Sequence, residues 1–298
     1  MHVNSSQLTT KISGKGNVVF VRHKPRKRFG QHFLTDQRTA DRFIQSAGLA
    51  GDDTVLEIGP GKGILTERLL RCVKHVTAVE IDRDLVALLK DRFTGIDSFR
   101  LIEADILSVD LESLFGDFGE KIKVVSNLPF NISTPVIEML IKNRKLVSDA
   151  VLFVQKEVAS RLIAEPDSKD YGLTTLNLAL YARCSKVMDV NPGSFSPPPE
   201  VMSSVIAISF DEHCRYALGN ERLFRDVTGA AFRMRRKMIR NTLVPYMVAK
   251  GVTGAEADSI LADAGIDPRS RPENLHVSSF VAVSNSLGEL IGRRENGR

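Results

Sequence analysis

The chain has 298 residues, of which 43% are hydrophobic and 26% are charged, values that are typical of a folded globular protein and exclude a disordered one. Its 41 Lys and Arg residues against 36 Asp and Glu give a net charge of +5, which alone favours a polyanionic partner only weakly. No apolar run reaches membrane-spanning length, and the scattered Cys72, Cys184 and Cys214 lack a CxxC pair, which excludes a structural zinc cluster and favours reduced thiols in the cytoplasm.

The N-terminal segment is rich in basic side chains. Residues 1–35 contain seven Lys or Arg side chains and no acid. This composition has features of an organelle transit peptide, but the segment shows no clear amphipathic helix. We predict a flexible basic arm over residues 1–28. Within it, Arg26, Lys27 and Arg28 adjoin aromatic residues and are candidate contacts for nucleic-acid phosphates, with a solvated tail as the alternative.

From residue 53 onward, strand-like and helical patterns alternate. Short apolar, β-branched runs predict five strands, at residues 54–58, 75–82, 99–105, 121–127 and 149–155. Thr134, with Pro135 next to it, predicts the N-cap of a helix after the fourth strand. Two further strands are predicted at residues 187–190 and 201–210. The alternation predicts an α/β fold with a seven-stranded, mostly parallel, Rossmann-like sheet that is covered by helices on both faces.

The pattern changes after residue 210, where helical stretches alone follow. They cover residues 221–247, 254–265 and 277–292. We therefore predict a first domain over residues 29–213 and a small C-terminal α-helical domain over residues 214–298.

The first of these predicted helices is basic on one side. Its apolar positions share one face, formed by Phe224, Val227, Ala231, Met234 and Met238. Its cations project from roughly the opposite side, with no acid between the first and the last: Arg233, Arg236, Lys237 and Arg240. A charged outer face is common on surface helices, but the lack of acids favours a helix that contacts RNA.

The sequence LEIGPGKG follows the first strand predicted after residue 53 and contains Gly59, Gly61 and Gly63. Glycines at this place let the chain turn tightly and let a ligand approach the backbone beside a helix N-terminus. Glu80 ends the next strand, where a carboxylate can accept hydrogen bonds from ribose hydroxyls. These features favour a nucleoside-containing cofactor, with a purely structural turn as the alternative.

Two details favour S-adenosylmethionine over NAD as this cofactor. The turn has the spacing G-x-G-x-G, whereas pyrophosphate-binding turns have G-x-G-x-x-G. Asp105 ends the following strand, where its carboxylate could accept a hydrogen bond from an adenine amino group. An N-cap for the next turn is an equally good interpretation of Asp105.

The sequence SNLPFN ends the fourth strand and brings Asn127 to the edge of the sheet where open α/β folds bind ligands. Its carboxamide oxygen and the Leu128 carbonyl could accept hydrogen bonds from an adenine amino group and draw that nitrogen toward tetrahedral geometry. Pro129 restricts Leu128 to an extended conformation, and Phe130 could stack on a base that has left its helix. The alternative is a turn with Phe130 in the core.

The chain resembles the ribosomal RNA adenine dimethyltransferases, and within them the small-subunit enzymes. The similarity extends from RKRFGQHFLTD through LEIGPGKG, VEIDRD, EADIL, SNLPFNISTP, VQKEV, SFSPPPEV and RMRRKMIRN to GIDPRSRPENL. It implies an S-adenosylmethionine methyltransferase whose cofactor lies against Gln31, His32, Leu34, Gly59, Gly61, Glu80, Ile81, Asp105, Ile106 and Asn127. It also implies that Asn127, Leu128, Pro129 and Phe130 form the site of the target base.

The chain departs from the family pattern at three places. Phe130 stands where small-subunit enzymes usually have Tyr, which keeps stacking and removes a hydroxyl contact. His32 replaces the Asn that is common in bacterial members. Met202 and Ser203 depart from the Asp-Ser that often follows the prolines. None of these positions supplies the two acceptors for the amino group.

The resemblance implies dimethylation of two adjacent adenosines near the 3′ end of the 16S rRNA, by an enzyme that we expect to be monomeric and free of metal. One rival is a large-subunit (23S) rRNA methyltransferase that confers macrolide resistance. Another is a non-catalytic organellar nucleic-acid-binding relative, against which Glu80, Asp105 and Asn127 argue. An NAD dehydrogenase is disfavoured because no catalytic His or Lys constellation is evident.

Overall fold

The computed structural model describes residues 9–12, 18–21 and 31–296. The strands in these ranges are β1 (Thr9–Ile12), β2 (Val18–Val21), β3 (Phe33–Leu34), β4 (Thr54–Ile58), β5 (His75–Glu80), β6 (Phe99–Glu103), β7 (Ile122–Asn127), β8 (Val147–Gln155), β9 (Ala182–Val190), β10 (Phe195–Ser196) and β11 (Ser203–Phe210).

Seven of these strands form one sheet in the order β6-β5-β4-β7-β8-β11-β9. Neighbouring strands from β6 to β8 all run parallel, so their carboxyl ends meet at one edge of the sheet. The predicted seven-stranded α/β sheet is thereby confirmed. β9 begins at Ala182 instead of at residue 187, because its largely polar, solvent-facing first half gives no apolar strand signal.

Two short strand pairs lie outside this sheet. β1 pairs antiparallel with β2 inside the segment predicted as a flexible arm, with Thr9 opposite Val21. Arg26, Lys27 and Arg28, the arm's predicted RNA contacts, lie outside the described residues. β3 pairs antiparallel with β10, so that the proline-rich segment after β9 returns to the start of the first domain.

Eleven α-helices occur in the described ranges. They are α1 (Gln37–Ser46), α2 (Ile64–Leu69), α3 (Arg83–Arg92), α4 (Leu111–Phe115), α5 (Ser133–Lys142), α6 (Lys156–Leu162), α7 (Leu173–Ala179), α8 (Glu221–Phe232), α9 (Ile239–Ala249), α10 (Gly254–Asp263) and α11 (Val277–Asn296). Of these described helices, none is both long enough and apolar enough to cross a membrane.

The predicted N-cap of α5 is wrong by two residues. A short 3-10 turn over Phe130–Ile132 precedes α5, which begins at Ser133, so Thr134 lies in the first turn and is not the N-cap. The cap position is Ile132, which has no side chain that could accept a hydrogen bond. The SNLPFN segment therefore runs into α5 without a polar cap.

Apolar side chains of the strands and of α1 form a core on one face of the parallel sheet. Val55 and Val125 are buried there beside Phe153. The Phe153 ring stacks on that of Phe43 from α1, with the ring centroids 4.3 Å apart. Asp36 caps α1 by accepting a hydrogen bond from the Arg38 N–H. The strand ends that carry the candidate residues are thus held by a packed core.

The chain divides into two compact units. One comprises residues 1–156 and 186–208, and the other comprises residues 157–185 and 209–298. The chain passes between the two units three times, and the predicted boundary after residue 213 lies close to the third passage, between residues 208 and 209. Residues 157–185, which were predicted in the first domain, group with the helical unit. This stretch contains α7, for which no helix was predicted.

The predicted basic helix over residues 221–247 is interrupted in the structure. Phe224 is buried in α8 as expected, but α8 ends at Phe232 and α9 begins at Ile239. Met234 and Met238, which were predicted on the buried face, are therefore 49% and 42% exposed. Where α9 begins, the Ile239 N–H donates to the Ser270 carbonyl at 2.7 Å and ties the chain to a distant loop.

Candidate active site

A cavity of about 290 Å³ opens at the carboxyl ends of the parallel strands. Every predicted cofactor or base residue lines it: Gln31, His32, Leu34, Gly59, Gly61, Glu80, Ile81, Asp105, Ile106, Asn127, Leu128, Pro129 and Phe130. The segments before α1 and after β4, β5, β6 and β7 each contribute to the wall. The parallel topology explains this, because it delivers four strand ends to one edge.

The glycine turn needs its glycines. Gly61 and Gly63 have φ values of 59° and 81°, in the left-handed region that other residues adopt at a cost. A Cβ atom on Gly61 would lie 3.0 Å from the Phe33 ring, and one on Gly63 would lie 2.8 Å from the Phe93 ring. The turn therefore keeps its backbone close to the cavity and leaves no room for side chains at these positions.

Glu80 links the glycine turn to the end of β5. Its Oε2 accepts from the Gly61 N–H at 3.2 Å, and its Oε1 accepts from the Ile81 and Asp82 N–H groups at 3.0 and 2.9 Å. Burial raises the pKa of this carboxyl above its ordinary value, and the backbone hydrogen bonds oppose the rise. Since Oε2 accepts only one of these bonds, it retains a lone pair for a ligand hydroxyl.

Glu57, which the sequence reasoning missed, is a second buried acid at the cavity wall. The side chain is 1% exposed, and the Thr66 hydroxyl donates to its Oε2 at 2.6 Å. Burial, with a smaller contribution from the charge of Glu80, raises the pKa of Glu57 to about 8. Glu57 is therefore mostly protonated at neutral pH. A signal was present in the sequence, because an acid inside the apolar strand TVLEI is unusual.

Asp105 has the N-cap role that its sequence context allowed, and it also lines the cavity. Its Oδ1 accepts from the Leu107 N–H at 3.0 Å and caps the short 3-10 turn that follows β6. The same side chain lines the cavity beside the buried Ile106. One carboxylate oxygen thus fixes the turn, and the other is available to a ligand.

Asn127 is held by the segment that precedes β3. Its Nδ2 donates to the His32 carbonyl at 3.0 Å. A carbonyl can only accept, so this bond assigns the amide nitrogen to His32 and directs Oδ1 away from it. Below Asn127, the Ser126 hydroxyl donates to the Ile58 carbonyl and joins β7 to β4. The strand end is therefore rigid, and the Asn127 amide presents an acceptor.

The His32 ring packs on the aromatic ring of the SNLPFN segment. Its centroid lies 5.3 Å from that of Phe130, with 29° between the planes. His32 Nδ1 donates to the Pro197 carbonyl at 2.9 Å, beside the β3–β10 pairing. A base cannot enter between rings at this spacing, so a stacked base would use the other face of Phe130. The sequence predicted His32 near the cofactor and did not predict its contact with Phe130.

The predicted RNA contacts of the helical unit fall into two groups. Arg233, Arg236 and Lys237 are exposed in the turn between α8 and α9, and among the described residues they have no ion-pair partner. Arg240 instead forms a two-pronged ion pair with Asp258, with N–O distances of 2.8 and 2.9 Å. Its charge is thus already matched by an acid that is distant in sequence.

Within the described ranges, no group of His, Cys, Asp or Glu side chains is arranged to hold a metal ion. The cavity lining offers carboxylates, carboxamides, backbone groups, the Lys62 ammonium and the rings of His32, Phe33 and Phe130.

Comparisons with known proteins agree with this geometry. A family model described as ribosomal RNA adenine dimethylase matches residues 22–288. The ribosomal RNA small subunit methyltransferase A of Geobacter metallireducens is 40% identical over 271 residues, covering 91% of this chain and 98% of the relative. The protein of the same name from Pseudomonas aeruginosa is 38% identical over 273 residues, with 91% and 98% covered.

Solved structures share the architecture. A dimethyladenosine transferase from Plasmodium falciparum superposes with a TM-score of 0.74 at 27% identity, covering 86% of this chain and 98% of that one. The 23S rRNA methyltransferase ErmE superposes with a TM-score of 0.66 at 22% identity, covering 86% and 99%, and shares the fold.

Proposed function

Because this chain belongs to the ribosomal RNA adenine dimethylase family, we propose that it methylates N6 of two adjacent adenosines in the 3′-terminal hairpin of small-subunit rRNA, with S-adenosylmethionine as methyl donor. The observation that carries this proposal is the meeting of the glycine turn, Glu80, Asp105 and the SNLPFN segment around one cavity. We expect the chain to act as a monomer on the assembling small subunit in the cytoplasm.

The residues present suit this cofactor. Gly59 and Gly61 border the cavity and carry no side chain, which lets a nucleoside approach their backbone closely. Glu80 keeps an acceptor for ribose hydroxyls, and Asp105 keeps one for an adenine amino group. When bound, S-adenosylmethionine would supply an electrophilic methyl group that is bonded to a positively charged sulfur.

The SNLPFN segment provides what the target adenine needs. Its amino group is a weak nucleophile, because the nitrogen lone pair is delocalised into the ring. Asn127 Oδ1 and the Leu128 carbonyl would accept its two hydrogens and favour tetrahedral geometry at N6, while Phe130 stacks on the base. Methylation makes the nitrogen cationic, so its proton leaves readily and no strong base is required.

The direct test is to map methylated bases. Small subunits that lack the modification are incubated with the purified chain and radiolabelled S-adenosylmethionine. Label on both adjacent adenosines of the 3′-terminal hairpin with wild type, and its loss with Asn127→Ala, is the expected result. Label elsewhere in small-subunit rRNA, or none, would refute the assignment.

Two rivals have separate tests. Protection of cells from erythromycin would indicate a large-subunit methyltransferase, but the segment GIDPRSRPENL and the curated relatives at 38–40% identity favour the small subunit. Failure to bind S-adenosylhomocysteine by calorimetry would favour a non-catalytic nucleic-acid-binding relative.

We further propose that the turn between α8 and α9 binds rRNA phosphates. Arg236 and Lys237 are exposed there, whereas neighbouring Arg235 is engaged by Glu273 at 2.5 Å. Reversing Arg236 and Lys237 to Glu should weaken binding to small subunits. It should also flatten the salt dependence, because each lost phosphate contact lowers the log–log slope by roughly 0.9.

The matched control for this surface is the double reversal of Lys74 and Lys90, two exposed lysines of the other unit. This control should leave the affinity and its salt dependence close to those of wild type. Unchanged binding by the Arg236 and Lys237 variant at both low and high salt would contradict the role of the turn.

A further inference from the structure

Lys62 lies inside the glycine turn, between Gly61 and Gly63, and its side chain borders the cavity. The side chain is half-buried, and its Nζ lies 5.1 Å from the centroid of the Phe33 ring, over the ring face. A cation over an aromatic face gains some attraction but no hydrogen-bond acceptor.

Within the part of the chain that the structure describes, the ammonium group of Lys62 has no hydrogen-bond acceptor. No carboxylate or carbonyl oxygen of the described residues accepts a hydrogen bond from it, although an ammonium has three donors. Residues 1–30 contain no acidic side chain, so that segment cannot supply a carboxylate either. Burial lowers the pKa of Lys62 from its ordinary value, as expected for a charge that loses water without gaining a partner.

The charges of the cavity lining indicate which kind of ligand group the Lys62 ammonium would bind. Among the described residues, the lining contains three carboxylic side chains, Glu57, Glu80 and Asp105, and Lys62 is the one Lys or Arg. Carboxylates in this lining repel an anionic ligand group, whereas the Lys62 ammonium attracts it. S-adenosylmethionine carries one anionic group, the carboxylate of its amino-acid part.

We propose that Lys62 binds the α-carboxylate of the cofactor's amino-acid part, an inference that rests on the proposed use of S-adenosylmethionine. The flexible four-carbon stem lets the ammonium move from the Phe33 ring to a carboxylate without any change in the glycine turn. The half-buried position strengthens the resulting charged hydrogen bond relative to one in water. Neither the spacing of the glycine turn nor the family resemblance had indicated a role for this residue.

Calorimetry with two ligands tests this assignment on the full chain. S-adenosylhomocysteine carries the carboxylate, and 5′-methylthioadenosine has the same nucleoside and sulfur but lacks the amino-acid part. Lys62→Met keeps the length of the side chain and removes the charge, Lys62→Arg keeps the charge, and Lys74→Met is the matched control at an exposed lysine.

We expect Lys62→Met to bind S-adenosylhomocysteine about tenfold more weakly than wild type, with Lys62→Arg between the two. The affinity for 5′-methylthioadenosine should be the same in all variants, which also shows that the turn is intact. An equal loss for both ligands, or no loss for either, would overturn the role of Lys62.

Two further outcomes separate the possible explanations. If Lys62→Met keeps its affinity for S-adenosylhomocysteine and raises only the KM for the ribosomal particle, then the anion is an RNA phosphate and the carboxylate assignment is wrong. If wild type binds neither ligand, then the proposed cofactor itself is wrong.

Discussion

Replacement of Asn127 by Ala has two expected effects, which two different measurements separate. The first is the loss of the acceptor Oδ1. Because Nδ2 donates to the His32 carbonyl, Oδ1 is directed away from His32. Removing one preorganised hydrogen-bonding group from an active site typically lowers kcat by roughly 10²–10³-fold, or about 2.7–4 kcal/mol. We expect a loss in this range for methyl transfer by Asn127→Ala.

The second effect is loss of the donor to the His32 carbonyl. An acceptor left without its partner costs about 1–3 kcal/mol, and the lower end applies because this bond is only partly buried. Asn127→Ala should therefore lower the free energy of unfolding by about 1 kcal/mol. Asn127→Asp keeps an acceptor but cannot donate, so its stability should fall at least as much while its kcat stays above that of Asn127→Ala.

Single-turnover transfer of radiolabelled methyl groups to unmodified small subunits measures the first effect, and urea unfolding of the cofactor-free chain measures the second. A loss in rate below about tenfold for Asn127→Ala, with unchanged binding of S-adenosylhomocysteine, would refute the acceptor role. Unchanged stability in both variants would refute the contribution of the His32 bond.

Three other residues give independent predictions. Phe130→Ala should slow methyl transfer by roughly 5- to 150-fold through lost stacking, whereas Phe130→Tyr should stay near wild type; equal losses would mean that the ring serves only packing. The pKa of Glu57 is about 8 in the folded chain, whereas its ordinary value is 4.5. Between these pH values the folded chain therefore binds one more proton than the unfolded chain. The free energy of unfolding should therefore fall with rising pH across this window, by up to about 1.4 kcal/mol per pH unit, and urea unfolding of Glu57→Gln should lack this slope. Arg235→Met should lower the melting temperature by breaking the pair with Glu273, yet leave the salt slope of ribosomal-particle binding unchanged; a changed slope would make Arg235 an RNA contact.

The strands of the parallel sheet could be predicted from sequence because each is a short apolar run with a clear end. The predicted ends of β4 and β7 were correct, with Gly59 after β4 and Asn127 ending β7, whereas β5 and β6 each end two residues earlier than predicted. The break between α8 and α9 could not be predicted in this way. Helical spacing continues through residues 233–238, whereas the restart at Ile239 coincides with a tertiary hydrogen bond to Ser270 that spacing does not reveal.

The residues of the candidate site could be predicted where they lie at strand ends or within family motifs. Glu57 and Lys62 were missed although both lie in the same LEIGPGKG motif, because their roles depend on burial. The Pro197 carbonyl had no sequence signal, since a backbone acceptor is available at any position. Its contact with His32 emerges from the pairing of β3 with β10, which is set by tertiary structure.

That pairing has a consequence for how the protein is made. His32 and Pro197 are 165 residues apart in the chain. At ribosomal rates of about 5–20 residues per second, Pro197 is added roughly 8–33 seconds after His32. In the later part of that interval, after residue 131 has been added, the nascent chain contains the glycine turn and the SNLPFN segment but lacks the carbonyl that accepts a hydrogen bond from the His32 ring. That hydrogen bond, which restrains the ring that stacks on Phe130, therefore forms only after the proline-rich segment has been synthesised.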